Sequence, residues 1–133
     1  KIKRRTMIRL MNVLVIALGL MACQAQSSAE KLDTKSVKTM AQEEDVFVVD
    51  VRTPGEVANG YIAVSDYFFD VNSADFNENI ASLDKEKTYI VYCRSGVRST
   101  NALNYMEKEG FTKLYELKGG ILSWSDSTSI STE

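Results

Sequence analysis

The sequence contains no histidine, and it has two cysteines and one proline among 133 residues. Without histidine, no Ser-His-Asp or Cys-His catalytic unit and no His-ligated metal site can form within this chain. Two cysteines without histidine are also too few for a structural zinc site. We therefore expect neither a metal nor a cofactor, and a reactive cysteine would have to be activated by backbone N–H groups and arginine.

The basic residues are concentrated at the amino end. Residues 1–22 hold five of the 16 Lys and Arg residues and none of the 18 Asp and Glu residues, so the remainder has a net charge of −7. An acidic domain without a basic stripe argues against nucleic-acid binding. It also argues against electrostatic docking on anionic lipid. We expect a monomer with no nucleic-acid partner.

The amino end has the pattern of a bacterial export signal. A basic head precedes residues 10–22, which are apolar apart from Asn12 and have the length of a signal-peptide core, too short to span a bilayer comfortably. The stretch ends in Leu20-Met21-Ala22-Cys23, which resembles a lipobox, in which the cysteine is acylated. We predict a signal peptide over 1–22 and a lipid anchor on Cys23 that holds the protein to a membrane of the cell envelope, facing the periplasm or the exterior. The alternative is an ordinary cleaved signal peptide with an incidental Cys23.

The remaining chain divides into a tether, one domain and a tail. We predict the anchor cysteine and a flexible polar tether over 23–32, a single domain over 33–126 and a frayed C-terminal tail over 127–133. Strands alternate with helical segments within the domain, which indicates an α/β fold: a largely parallel sheet with helices on both faces. The predicted strands are 46–51, 67–71, 88–92 and 112–117, and the predicted helices begin after Asp33, at Pro54, at Asp75 (capped by Ser73), at Ser99 or Thr100, and at Gly119.

The domain is organised around the segment from Thr88 to Gly110. A β-branched and aromatic strand, 88–92, leads into Cys93 and a short polar loop, and a helix with Ser99 or Thr100 as its N-cap follows. Cys93 therefore lies at the carboxyl end of a strand, just before a helix amino terminus. In an open α/β sheet this is where ligands bind.

The loop after Cys93 has the composition of an anion cradle. If residues 94–98 curl round the sulfur, with Gly96 at positive φ, several backbone N–H groups converge on it. Arg94 and Arg98 would add two positive charges, and both effects favour thiolate over thiol. The alternative is a buried structural cysteine, which the polar neighbours of Cys93 argue against.

Two other groups have both a functional and a structural interpretation. Arg52 and Asp50 could be pocket charges, but we favour a structural role in which Arg52 pairs with Asp50 or Glu56 and fixes a strand–helix turn. Trp124 is interpreted as core packing in preference to a substrate wall.

The loop Cys93-Arg-Ser-Gly-Val-Arg-Ser resembles the active-site loop of a single-domain rhodanese, a sulfurtransferase. Residues 49–56, Gly60-Tyr61-Ile62 and Gly119-Gly120 followed by Trp124 resemble other motifs of that family in order and spacing. The resemblance implies a five-stranded parallel sheet flanked by helices and a catalytic Cys93 that carries a persulfide. It also implies small sulfur-containing anions as donors, thiols as acceptors, and a binding loop made of Arg94, Ser95, Gly96, Val97 and Arg98.

The spacing within the loop separates two chemistries on this fold. Related phosphatases and arsenate reductases have Cys-x5-Arg, whereas Cys93 to Arg98 is Cys-x4-Arg, a loop that fits a sulfur atom better than a tetrahedral oxyanion. Tyr61 stands where the family usually has histidine, and residues 63–66 depart from its usual turn. The prediction is a rhodanese-type sulfurtransferase that uses a donor such as thiosulfate. The alternative is a non-catalytic persulfide carrier or partner-binding domain, and the sequence leaves the natural donor and acceptor open.

Overall fold

The structure, a computed structural model, describes residues 27–132, so the signal peptide predicted over 1–22 and the lipid anchor predicted on Cys23 lie outside the described residues. The strands are β1 (Glu30–Leu32), β2 (Val46–Asp50), β3 (Tyr61–Ile62), β4 (Tyr67–Phe68), β5 (Thr88–Tyr92), β6 (Leu114–Leu117) and β7 (Ile130–Ser131). The α-helices are α1 (Thr34–Met40), α2 (Pro54–Ala58), α3 (Phe76–Ala81) and α4 (Val97–Lys108). None of the helices in this part of the chain is long and apolar enough to cross a membrane.

Five strands form one parallel sheet in the order β1-β6-β5-β2-β4, which confirms the predicted fold class. The strands β3 and β7 pair antiparallel beside it. The chain passes from β4 on one side of β2 to β5 on its other side, so the order of strands reverses there. The carboxyl ends of β2 and β5 therefore border the position at which an open α/β sheet binds ligands.

Both faces of the sheet are buried, because successive side chains of each central strand point to opposite sides and a hydrophobic core covers each side. One core contains Val49 and Val91 of the strands with Phe76, Leu103 and Met106 of helices α3 and α4. The opposite core packs strand residues against α1, Ile62 and Trp124, and its main members are Val37, Val46, Val48, Ile62, Ile90, Tyr92, Leu117 and Trp124. Trp124 is thus a core residue, as predicted.

Two helix starts follow from their local sequence. Asp33 caps α1 by accepting a hydrogen bond from the backbone N–H of Ser36. Thr53, Pro54 and Glu56 start α2 with a capping box in which Thr53 and Glu56 each bond the other's backbone N–H. Both helix starts were predicted. The capping box of α2 also fixes the orientation of Glu56 near the carboxyl end of β2.

The termini of the domain differ from the prediction. Glu30–Leu32, placed in the flexible tether, forms the edge strand β1 and pairs in register with Tyr115–Leu117. Ile130–Ser131, placed in the frayed tail, pairs with Tyr61–Ile62, and Ser129 accepts a hydrogen bond from the N–H of Ala63 at 2.7 Å. Both segments gain their order from strands far away in the sequence, a source that their own polar composition does not reveal.

Three local predictions were also wrong. The aromatic strand predicted over 67–71 is only the two-residue β4, and Phe68 is 42% exposed. The closing helix after Gly119 is one 3₁₀ turn, Ile121–Ser123. Asp75 is the N-cap of α3, and the hydroxyl of Ser73, the predicted cap, bonds the Asp75 carboxylate.

Candidate active site

Cys93 follows β5 directly and lies where the strand order reverses. It continues the side-chain alternation of β5, so its sulfur points to the same face as Val91, toward α4. The residue is only 1% exposed, and it is the free cysteine of the described chain.

The loop closes round the sulfur as the sequence predicts. The backbone N–H of Gly96 donates a hydrogen bond to Cys93 Sγ at 3.1 Å, and Ser99 Oγ lies 3.4 Å from Sγ. Gly96 has φ +124°, a backbone conformation that disfavours any residue with a Cβ, and this bend turns the loop into α4. The sulfur thus lies against the amino end of a 12-residue helix.

This surrounding acts on the acidity of the thiol in two opposite directions. Burial raises the pKa of the Cys93 thiol, but hydrogen bonds from the Ser99 hydroxyl and from the backbone N–H groups of Ser99, Gly96 and Ser95 outweigh burial and hold the pKa below its usual value. The thiolate is therefore more populated than in an ordinary cysteine. Because the thiolate is the nucleophilic form, the loop favours a reactive sulfur.

The helix start differs in detail from the prediction. Gly96 is the N-cap of α4, and Ser99 and Thr100, the two predicted caps, lie in its first turn. Their hydroxyl oxygens lie 3.0 and 2.8 Å from the Gly96 carbonyl oxygen, which is one of the acceptors within their reach. The helix therefore begins at Val97, whereas a cap at Ser99 would have placed its first residue at Thr100.

The two arginines of the loop have different surroundings. Arg98 donates two hydrogen bonds of 2.7 Å to the two carboxylate oxygens of Glu56. This pairing lowers the pKa of Glu56 to about 2 and orients the guanidinium beside the loop. Arg94, Ser95 and Val97 are exposed at the surface of the loop. Arg98 thus contributes a partly neutralised charge, and Arg94 is the arginine of the loop that is open to solvent.

A second segment supports the loop from behind. The N–H groups of Ile121 and Leu122, in the 3₁₀ turn, donate to the carbonyls of Cys93 and Arg94 at 2.9 and 3.2 Å. Gly120 approaches so closely that a Cβ there would lie 2.4 Å from the Arg94 carbonyl oxygen. Gly120 and the 3₁₀ turn after it therefore position the backbone of the cysteine loop.

The family comparison agrees with this geometry. The model of the rhodanese-like domain family matches residues 33–127. The chain belongs to the rhodanese family. This rhodanese domain is 32% identical over 96 residues to a sulfurtransferase of Allochromatium vinosum, which covers 71% of the chain and 87% of that protein. It is 30% identical over 100 residues to the thiosulfate sulfurtransferase GlpE of Shewanella oneidensis, covering 75% of the chain and 96% of the relative.

A solved structure gives the same result for the fold. A rhodanese-like domain protein from Staphylococcus aureus superposes with a TM-score of 0.66 at 28% identity, over 78% of this chain and 98% of the other. The single-domain rhodanese predicted from the loop motif is thus confirmed.

Asp50 and Arg52 of the rhodanese domain have the structural role that the sequence favoured. Asp50 is fully buried and accepts hydrogen bonds from Arg52 Nε at 3.0 Å and from one terminal nitrogen at 2.7 Å. That nitrogen also donates to the carbonyl of Gly60 at 2.8 Å. The pair fixes the turn after β2, and Glu56, the other predicted partner of Arg52, binds Arg98.

The structure brings one carboxylate to the rhodanese loop that the sequence analysis missed. Glu116 of β6 is 2% exposed, and its Oε1 accepts hydrogen bonds from Ser99 Oγ at 2.6 Å and from Thr100 Oγ1 at 3.1 Å. A glutamate inside the otherwise apolar run Leu114-Tyr115-Glu116-Leu117 was the available signal. In residues 27–132 no three His, Cys, Asp or Glu side chains are grouped as a metal site.

Proposed function

We propose that this protein is a rhodanese-type sulfurtransferase that moves a sulfane sulfur from a small anionic donor such as thiosulfate to a thiophilic acceptor. The observation that carries the proposal is the hydrogen bond from the Gly96 N–H to Cys93 Sγ, within a Cys-x4-Arg loop that lowers the pKa of the thiol. Two relatives that carry the name sulfurtransferase support the same reaction class.

The reaction has two covalent steps. The Cys93 thiolate attacks the outer sulfur of thiosulfate, a new S–S bond forms, and the bond from that sulfur to the sulfonate group breaks, which releases sulfite. The acceptor, cyanide or a thiolate, then attacks the terminal sulfur of the Cys93 persulfide and regenerates the thiolate. Such a mechanism predicts ping-pong kinetics.

The residues of the loop have distinct proposed roles in these steps. The N–H of Gly96, with those of the neighbouring loop residues, stabilises the negative charge on the sulfur. Arg94, which is exposed, binds the sulfonate group of the donor, and Arg98 contributes through its fixed position on Glu56. Because Cys93 is 1% exposed, the donor has to pass the residues of the loop to reach Sγ.

The experiment is a thiosulfate:cyanide assay of the full chain with two matched single-thiol variants. Cys93→Ser is expected to abolish thiocyanate formation, and Cys23→Ser, which removes the other thiol, is expected to retain it. Turnover that survives in Cys93→Ser would contradict the proposal. Mass spectrometry of the donor-treated protein distinguishes the alternative of a persulfide carrier, which would gain one sulfur on Cys93 without turnover.

We further propose that the protein works in the bacterial cell envelope, held to a membrane by a lipid on Cys23. The support is the basic head, the apolar stretch 10–22 and the lipobox-like Leu20-Met21-Ala22-Cys23. Mass analysis of the amino-terminal peptide of the protein isolated from membranes tests this proposal. Acyl groups on an amino-terminal Cys23 are expected, and a protein that retains residues 1–22 would contradict it.

A further inference from the structure

Glu116 is a buried carboxylate that the two-step reaction above does not use. Its Oε1 accepts hydrogen bonds from Ser99 and Thr100, whereas its Oε2 is buried and has no hydrogen-bond partner among the described residues. The amine of Lys31 is 3.7 Å from Oε2, but this lysine is 61% exposed. A buried carboxylate oxygen that accepts no hydrogen bond is costly, and uptake of a proton removes that cost.

The Ser99 hydroxyl connects this carboxylate to the reactive sulfur. Ser99 Oγ is 2.6 Å from Glu116 Oε1 and 3.4 Å from Cys93 Sγ, and all three residues are buried. A hydroxyl has one proton to donate and can accept others, so it can pass a proton along such a chain. When Glu116 is ionised, the Ser99 proton points to the carboxylate and the thiol donates to Ser99. When Glu116 is protonated, it donates to Ser99, and Ser99 donates to the thiolate.

We propose that Glu116 receives the proton of the Cys93 thiol through the hydroxyl of Ser99. The S–H bond breaks as its proton moves to Ser99 Oγ, the original Ser99 proton passes to Glu116 Oε1, and no electron is transferred. Glu116 would thus supply the proton acceptor in a chain without histidine. The inference rests on the proposed function, in which the Cys93 thiolate is the nucleophile.

A charged group lies near each end of this hydrogen-bonded path, and each one stabilises the anion at its own end. Lys31, from β1, stabilises ionised Glu116, although its exposure allows salt to screen the effect. Arg98, from α4, interacts electrostatically with Cys93 and favours the thiolate. In the proposed transfer one proton resides on either Cys93 or Glu116, so the protonation of each group depends on that of the other.

The test is the rate of Cys93 alkylation by iodoacetamide as a function of pH, measured on the full chain by mass spectrometry of the Cys93 peptide. The wild type should show two rises separated by a plateau, because in the plateau a constant fraction of the pair has its proton on Glu116. Glu116→Gln keeps a hydrogen-bond acceptor but cannot take the proton. In this variant the rate of Cys93 alkylation should rise with pH in a single step, and below the midpoint of that step it should fall by about tenfold per pH unit. A single step in the wild type overturns the proposal.

Two variants of neighbouring hydroxyl residues separate proton transfer from packing. Ser99→Ala removes the connection and should abolish the plateau. Thr100→Ala removes a hydrogen bond to the same carboxylate oxygen, but the Thr100 hydroxyl forms no hydrogen bond with the sulfur, so the plateau should remain. Loss of the plateau in Thr100→Ala, or its survival in Ser99→Ala, contradicts the proposed path.

A second measurement observes the Glu116 carboxyl group directly and does not use the reactivity of Cys93. The ¹³C shift of the Glu116 carboxyl group, assigned by its absence in Glu116→Gln, should titrate in two steps and change to a single step in Cys93→Ser, because coupling is reciprocal. A titration that is the same with and without Cys93 overturns the inference. Neither measurement contains a sulfur donor, so a protein that fails to transfer sulfur but keeps the coupled titration refutes the proposed function alone.

Discussion

Arg98 is bound by Glu56, although its position in the loop suggested a charge directed at the sulfur. The two side chains form a bidentate pair, with the Arg98 and Glu56 side chains 25% and 30% exposed. Since Glu56 is itself held by the capping box of α2, the pair connects that helix to the cysteine loop. Arg98 and Glu56 lie 42 positions apart in the sequence, and each fixes the position of the other.

This pair predicts a pH-dependent contribution to stability. Glu56→Gln should lower the free energy of unfolding at neutral pH by about 1 kcal/mol, the upper end for a partly exposed pair. Because the folded-state pKa of Glu56 is depressed to about 2 from 4.5, the contribution is present above pH 4.5 and is lost as the pH falls toward 2. Urea unfolding of both proteins across this range measures it.

The control for this prediction is Glu78→Gln, at an exposed position of α3, which should change stability little at any pH. A Glu56→Gln difference that stays constant from neutral pH to about pH 2 would show that it does not come from the ionised pair.

At the scale of elements, the cysteine loop depends on the turn that follows β6. Gly120 has φ +65° and ψ −163°, a combination open essentially only to glycine, and it faces the carbonyls of Cys93 and Arg94. The loop geometry is therefore maintained by backbone packing from a segment more than 20 residues away, in addition to the amino end of α4.

Gly120→Ala should destabilise the fold by about 3 kcal/mol and reduce sulfur transfer, because a Cβ would collide with backbone atoms of the loop and the φ is strained. Chemical denaturation and the thiosulfate:cyanide assay provide the two measurements. Gly55→Ala is the matched control. Apart from its chain neighbours and the backbone of its own helix, nothing lies within 4 Å of the added Cβ, so this change should stabilise the protein by about 0.5 to 1 kcal/mol. Equal stability of the two variants would contradict the proposed role of Gly120.

At the scale of the whole molecule, the sheet is completed by a strand outside the 33–127 range of the family match. β1 pairs with β6, Leu32 is 8% exposed, and the Leu32 carbonyl accepts a hydrogen bond from Lys118 N–H at 2.8 Å. Without β1, the backbone of β6 would become an exposed sheet edge.

Two deletions test whether β1 belongs to the folded unit. Relative to the protein that lacks residues 1–26, the protein that lacks residues 1–32 should have a free energy of unfolding lower by about 2 to 3 kcal/mol, because a buried leucine and a strand pairing are lost. Equal unfolding midpoints of the two proteins would show that residues 27–32 do not stabilise the fold, as expected of the flexible tether predicted from the sequence.

The sequence by itself determined the parts of this protein that depend on neighbouring residues. The strand, polar loop and helix around Cys93, the Asp33 cap and the Thr53-Pro54-Glu56 helix start follow from propensities and hydrogen bonds within a few positions. The N–H groups aimed at Cys93 are local as well, since Gly96 is three residues away. Only the tertiary structure decided that Arg98 binds Glu56, that Glu116 lies under Ser99, and that β1 and β7 are ordered. The physical reason is that ion pairs, buried hydrogen bonds and edge strands each require a partner from a distant segment, and packing of the whole sheet selects that partner.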